Sequence, residues 1–374
     1  MGWSITLARV RGIEIKVHVT FVLIVIWAAY YWGGDGARGV VFGIVATLLL
    51  FVCVTLHELG HALTAQRYGI EVHDITLLPI GGVARIEVPE NPKQELWIAV
   101  AGPAVNIVIA VVLILVGAVL SATSLLTPGN LVDSMRGAEW SGLLSYLTLA
   151  NLYLVVFNVI PAFPMDGGRI LRALLALRMD YRRATGIAVS VGQGLAFVFG
   201  LAGFATGNFF LIVIAIFVWF GASAEGQQVT VKSVLGGATV GQVMIRQPQV
   251  LYPTDALSRA VGLTLSTSQS DFPVLDGDGR VIGLLTLDKL LHGLNESPGS
   301  PVGSVMHRQF PTAIPEDTIV AVQARLAESG IRSLPILAPD GSLTGFLTLG
   351  DISEAFRILS VRPQMIGRQA AVRR

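Results

Sequence analysis

The chain has 374 residues, of which 53% are hydrophobic and only 14% charged, and its mean hydropathy is +0.67. That balance excludes an ordinary soluble globular enzyme and points to a membrane protein. A formal net charge of +1 offers no electrostatic footprint for nucleic acid, and the single cysteine, Cys53, rules out an intramolecular disulfide.

Six apolar stretches before about Ala224 are predicted to cross a bilayer, at 17–33, 39–66, 96–120, 142–162, 185–204 and 207–224. The last two are joined at Gly207-Asn208 and are predicted to form a hairpin. Arg9, Arg11, Lys16, Arg67, Arg85, Lys93, Arg169, Arg172, Arg178, Arg182 and Arg183 all fall on one side of these spans, against Arg38 and Arg136 on the other. The positive-inside rule therefore places both termini in the cytoplasm, with the end of the second span near that face. No small-x-small cleavage site follows the first span, which is read as an anchor and not a signal peptide. Met1-Gly2-Trp3-Ser4-Ile5-Thr6 formally fits a myristoylation pattern, but six spans need no lipid chain.

At the end of the second span stands His57-Glu58-Leu59-Gly60-His61, directly after the apolar run 39–56. Residues four apart on a helix are offset by about 40° and roughly 6 Å, so both imidazoles can reach one zinc ion. Glu58 lies beside them and can accept a proton from water that zinc has activated, then pass it to a leaving amine. The same pattern also occurs on solvated helical faces. Inside a span, however, a charged group costs on the order of 3 kcal/mol, so a cluster of such groups calls for a function. Cys53 is four residues before His57 but about 12 Å along the helix from His61, too far to share the ion, and reads as a small packed apolar residue.

Zinc needs a third protein ligand and an open position. The candidate is Asp166, in Asn158-Val159-Ile160-Pro161-Ala162-Phe163-Pro164-Met165-Asp166-Gly167-Gly168-Arg169. Two prolines end the fourth span there and two glycines permit tight turning, which predicts a carboxylate in irregular backbone lining a cavity at membrane depth. A plain Asp-Gly turn is the alternative. The second and fourth spans run in the same direction, so His61 and Asp166 emerge on the same face.

Together with Ala101-Gly102-Pro103-Ala104-Val105-Asn106 in the third span, these motifs resemble the site-2 protease family of intramembrane zinc metalloproteases, over most of residues 1–224. The resemblance implies that His57, His61 and Asp166 bind one zinc per chain, that Glu58 is the catalytic base, and that substrates are membrane proteins, single-span ones foremost. Residues 77–86 read locally as a β-hairpin around Gly81 and Gly82. Beside the catalytic helix it offers a strand edge to an extended substrate, the alternative being a mere connection between spans. Asn106 and Asn158 are costly amides in apolar helices, suited to substrate backbone, to an oxyanion or to helix association. His18 is placed at the membrane interface and His73 on the surface.

Residues 243–292 align with 305–354 at a period of 62, matching Met244 with Met306, Pro253 with Pro315, Pro273 with Pro335, Gly283 with Gly345 and Thr286 with Thr348. The duplication resembles a tandem pair of cystathionine β-synthase (CBS) domains, which implies clefts for an adenine nucleotide. Thr348 and Asp351 fit that family's ribose-binding spacing. Thr286-Leu287-Asp288-Lys289 departs from it, and a purely structural pair that makes a homodimer is the alternative. The predicted organisation is a protease domain at 1–224, a linker at 225–242, CBS repeats at 243–297 and 303–358, and a tail at 359–374 whose Arg362, Arg368, Arg373 and Arg374 suit anionic lipid.

The predicted fold is a polytopic α-helical membrane protein of about six transmembrane helices, with a membrane-associated β-hairpin, plus a cytoplasmic α/β tandem CBS module. The predicted function is a zinc endopeptidase of the cell membrane that performs regulated intramembrane proteolysis under nucleotide control. A transporter or channel gated by the CBS pair would spread polar residues through several spans, and an inactive substrate-binding scaffold would not need Glu58.

Overall fold

The computed structural model describes residues 3–86, 89, 91–121, 142–297 and 299–361. The chain divides after Gly226 into two compact units.

The first unit opens with an antiparallel hairpin, β1 (Ser4–Val10) and β2 (Ile13–His18), turning through Arg11 and Gly12 at φ of 47° and 87°. The apolar pattern predicts a span from residue 17. The alternation of Ile13, Ile15 and Val17 with Glu14 and Lys16 instead suits a strand with one buried face, so helix starts only at α1 (Phe21–Trp32). Twelve residues rise about 18 Å, well short of the roughly 30 Å hydrocarbon core. A 3₁₀ turn, Gly33–Asp35, then reverses the chain into α2 (Gly36–Arg67). The Phe21 and Phe51 rings meet edge to face at 4.6 Å and Trp32 and Phe42 at 4.9 Å, so the two helices lie antiparallel. A Cβ on Gly39 would sit 1.9 Å from the Trp32 carbonyl oxygen, so only glycine admits this turn. The first two expected spans are thus one 47-residue apolar run folded back on itself. Among the described residues, five helical runs are long and apolar enough to cross a membrane: Phe21–Arg67, Pro92–Val119, Gly142–Val159, Tyr181–Thr206 and Phe209–Val231. They belong to α1 with α2, and to α3 (Pro92–Ser121), α4 (Gly142–Val159), α6 (Tyr181–Thr206) and α7 (Phe209–Leu235). Their outward faces, with Val108, Leu115, Leu201 and Phe204 at 59% exposure or more, are apolar as a lipid-facing surface requires. The short α5 (Asp166–Ala176) lies between α4 and α6.

The α1–α2 crossover makes β2 parallel to β3 (Val72–Leu78), and β4 (Gly81–Ile86) completes a sheet of order β1-β2-β3-β4. The expected hairpin is present, with Leu78 paired to Gly81, but it forms the edge of a four-stranded sheet. Ile13, Ile75 and Leu77 of that sheet pack against Ala62 and Ala65 of α2 and Ile98 of α3. Asp74, 1% exposed, accepts from Lys16 Nζ at 2.9 Å and from Arg85 Nε at 2.7 Å, tying β2, β3 and β4 together.

In the second unit the last turns of α7, through Leu235, occupy the first part of the expected linker, and Thr239 and Gln242 form a capping box on α8 (Val240–Val243). The duplication follows as α9 (Leu257–Ser266), β5 (Phe272–Leu275), β6 (Val281–Leu285) and α10 (Leu287–Glu296), then α11 (Val302–Val305), α12 (Ile319–Ser329), β7 (Ser333–Leu337), β8 (Leu343–Thr348) and α13 (Leu349–Val361). The strand registers superpose, Val274 on Gly283 and Ile336 on Gly345, each followed by the same bulge. The repeats also exchange contacts. Ile245 bridges to Phe346 and His307 to Leu284, and a Cβ on Gly283 or Gly345 would strike the sulfur of Met306 or Met244 respectively. The basic tail expected after Leu359, and Met1 with Gly2, lie largely or wholly outside the described residues.

Candidate metal centre

The apolar, small-residue face of α2 sinks His57 and His61 into the first unit, at 6% and 3% exposure. Asp166, 8% exposed, approaches from α5. Its Oδ2 lies 3.3 Å from His57 Nε2 and 3.2 Å from His61 Nε2, and the two Nε2 atoms are 3.1 Å apart. Tetrahedral ligands at zinc–nitrogen and zinc–oxygen distances near 2.0–2.1 Å stand about 3.3 Å from one another, so the three atoms are spaced as three corners of a zinc tetrahedron. Two imidazoles and one carboxylate, with a fourth corner free, are also the donor set of a catalytic zinc site. His57, His61 and Asp166 could therefore hold the ion.

Surrounding groups fix this arrangement. His61 Nδ1 lies 2.6 Å from the Ile98 carbonyl oxygen, which accepts its proton and leaves the Nε2 lone pair for a metal. Gly102 of α3 backs the centre, since a Cβ there would fall 2.1 Å from His61 Nε2 and 2.7 Å from His57 Nε2. Gly60 lets α3 come this close, a Cβ on it lying 2.9 Å from the Ala101 carbonyl oxygen.

The expectation of irregular backbone at Asp166 is corrected. Residues 160–165 are irregular after α4 ends at Val159, but Asp166 is the first residue of α5, where exposed amide dipoles favour a carboxylate. Gly167 and Gly168 serve close approach, not a special turn. Cβ atoms there would lie 2.1 Å from the Ile160 carbonyl oxygen and 2.6 Å from the Phe163 nitrogen.

Glu58 is half-buried on α2 and faces β4, since a Cβ on Gly82 would sit 2.6 Å from Glu58 Cγ. Gly81 adopts φ 139° at the start of the strand, a conformation that favours glycine. Asn106 is wholly buried one turn beyond Gly102, and neither atom of its amide has a hydrogen-bond partner among the described residues. Asn158, half-buried in the last turn of α4, has no side-chain hydrogen bond among the described residues. Cys53 is 7% exposed and stands outside the ligand cluster, His18 Nδ1 is 2.8 Å from Thr20 Oγ1 at the start of α1, and His73 is exposed. Residue typing missed the Ile98 carbonyl, which carries no side-chain signal. It also passed over Gly102, although that glycine lies within the Ala101 to Asn106 motif.

Residues 45–201 match peptidase family M50, and residues 240–296 and 302–358 each match the CBS domain. The zinc metalloprotease MJ0392 of Methanocaldococcus jannaschii is 33% identical over 366 residues, covering 98% of this chain and 99% of that protein. The chain belongs to peptidase family M50. Stage IV sporulation protein FB of Bacillus subtilis is 28% identical over 173 residues, 46% of this chain and 51% of that protein. The solved site-2 protease from Methanocaldococcus jannaschii is 39% identical, covers 60% of this chain and 95% of its own, and has a TM-score of 0.43. This M50 chain is therefore a zinc metalloprotease of the site-2 protease family, a membrane protein, with a pair of CBS domains after its protease part.

Proposed function

We propose that the protein is an intramembrane endopeptidase that cuts single-span membrane proteins within or beside the bilayer, with its CBS pair as a nucleotide-responsive regulator. The observation that carries this reading is the meeting of His57, His61 and Asp166 on segments of a unit whose helices are long and apolar enough to cross a membrane. Zinc held there supplies Lewis acidity toward the scissile carbonyl and toward water. The chain supplies the proton path. Glu58 takes one proton from the water as its oxygen bonds to the carbonyl carbon, and delivers it to the nitrogen as the carbon–nitrogen bond breaks.

A helical substrate hides its peptide bonds, so the substrate must unwind. Strand β4 lies beside Glu58 through Gly82, and its outer edge, which pairs with no other strand among the described residues, is suited to an extended segment. Asn106 and Asn158 are the candidates for binding substrate backbone or the oxyanion, Asn106 being a buried amide without a partner among the described residues, on the α3 face that carries Gly102. The distribution of Lys and Arg favours both termini and the CBS pair in the cytoplasm, with the protease part at 1–224 and the repeats at 243–297 and 303–358. In the second repeat, Thr348 N and Oγ1 both donate to Asp351 Oδ2 at 2.8 Å, closing the first turn of α13 and leaving Asp351 Oδ1 for a ribose hydroxyl. Pairing of CBS modules from two chains would give a homodimer.

Purification in detergent, metal analysis and incubation with single-span membrane proteins test the reading. Glu58→Gln is expected to retain one zinc per chain and to cleave at least about a hundredfold more slowly. Undiminished cleavage by Glu58→Gln would remove it as the proton shuttle.

A further inference from the structure

Arg172 of α5 has the largest fully buried side chain among the described residues, at 1% exposure, and its hydrogen bonds go to Glu95 and Glu225, not to the three candidate ligands. A cation is buried so deeply only when it is paired. Its Nε donates to Glu95 Oε1 at 2.7 Å and its Nη2 lies 2.5 Å from the same oxygen, while Nη1 donates to Glu225 Oε1 at 2.5 Å. The guanidinium carbon also sits 4.9 Å from the centre of the Phe163 ring and 5.1 Å from that of Tyr181. One side chain thus grips α3 through Glu95, α6 through Tyr181, α7 through Glu225 and the turn that leads into its own helix.

Its place relative to the metal centre gives this grip a meaning beyond packing. Arg172 follows Asp166 by six residues, about 9 Å along α5. Glu95 precedes Ile98 by three residues, about 4.5 Å along α3, and Ile98 supplies the carbonyl that orients His61. The pair therefore joins the helix that delivers the carboxylate ligand to the helix that holds an imidazole ligand in place, within about two turns of both. Apolar side chains in the same volume would keep the helices in contact but let them slide. A planar guanidinium with two nitrogens on one carboxylate oxygen fixes direction as well as distance.

We infer that Arg172 and Glu95 are positioning residues of the metal centre, which set the separation of Asp166 from His61 and thereby the affinity for zinc. The inference rests on zinc occupying this centre, which the zinc content of the wild-type protein tests separately. Zinc affinity of the full-length protein in detergent is measured by competition with a chromophoric chelator, alongside thermal stability. Arg172→Lys keeps the charge but loses the fork, and Glu95→Gln keeps the shape but loses the charge. Each is expected to weaken zinc binding at least tenfold, as for groups that orient metal ligands. Because the two act as one contact, the double variant is expected to be little worse than either alone. Glu225→Gln leaves the Arg172–Glu95 contact intact and is expected to stay within threefold of wild type. Wild-type zinc affinity in both Arg172→Lys and Glu95→Gln, with stability alone reduced, would overturn the inference in favour of packing. Equal weakening by Glu225→Gln and Glu95→Gln would overturn it too, as a general loosening of the unit. Should Arg172→Lys fail to fold, Glu95→Gln decides.

Discussion

Gly102→Ala places one carbon where the structure has room for none. The added Cβ would lie 2.1 Å from His61 Nε2, 2.5 Å from His61 Cε1 and 2.7 Å from His57 Nε2, against an ordinary contact of 3.4 Å or more. Relief needs a displacement of about 1.3 Å at His61, whereas a zinc site tolerates about 0.2 Å in its ligand distances. His61 cannot swing away without losing the Ile98 carbonyl, and α3 cannot retreat without parting Gly60 from Ala101. Zinc affinity is therefore expected to fall at least about a hundredfold, or roughly 2.7 kcal/mol, while α3, gaining a better helix former, keeps its fold. Equilibrium competition with a chelator, read beside circular dichroism, measures both quantities. Gly194→Ala in α6 is the control, because a Cβ there meets nothing within 4 Å, and it is expected to bind zinc as wild type does. Wild-type zinc affinity in Gly102→Ala would refute the placement of α3 against the two histidines.

Gly82→Val drives side-chain atoms into Glu58 but leaves the three ligands untouched, so cleavage is expected to fall tenfold or more at unchanged zinc content, measured by turnover and metal analysis. A Cβ on Gly81 meets no atom within 4 Å, but Gly81→Val must hold φ 139°, so its effect should register as loosened β4 backbone in hydrogen exchange. Arg85, with Lys16, holds the Asp74 carboxyl below its ordinary value of 3.8, so its contribution to stability is present above about pH 4 and is lost as pH falls through the lowered value. Exchange at β3 and β4 amides is expected to rise below that point, and Asp74→Asn should abolish the step. Asp351→Ala is expected to weaken adenine nucleotide binding at least tenfold in calorimetry on the full chain and to remove any nucleotide effect on cleavage, with zinc content unchanged. The nucleotide must also favour one conformation over another to regulate, since equal affinity shifts nothing.

Local chemistry made much of this protein legible before any coordinates. The ligand spacing of His57 and His61 follows from helical geometry alone, and Pro161 and Pro164 mark the break before Asp166 whatever surrounds them. The internal period of 62 announced the duplication because two copies of one sequence meet the same packing demands. What residue typing could not supply was contact between distant segments. The pairing of Met244 with Gly345 and of Met306 with Gly283 reads in sequence as two separate similarities, and only the fold shows that each repeat inserts its methionine into the other.

The first two predicted spans illustrate the limit from the other side. Hydropathy sums over a window and is blind to direction, so it saw apolar length at residues 17–33 but not the strand that takes up Ile13–His18 or the reversal at Gly33–Asp35. The approach of Gly102 to two imidazoles, the Ile98 carbonyl at His61 and the burial of Arg172 between Glu95 and Glu225 likewise have no local signature. Each depends on which backbone lies across the gap. Sequence by itself supplied the candidate chemistry, namely two imidazoles and a carboxylate able to hold a metal and a second carboxylate proposed as the base, in an apolar setting, because side-chain type and helical period are properties of the chain. Tertiary structure alone decided how closely α3, α5 and β4 approach that chemistry, because those distances are set by packing between segments that sequence separation does not encode.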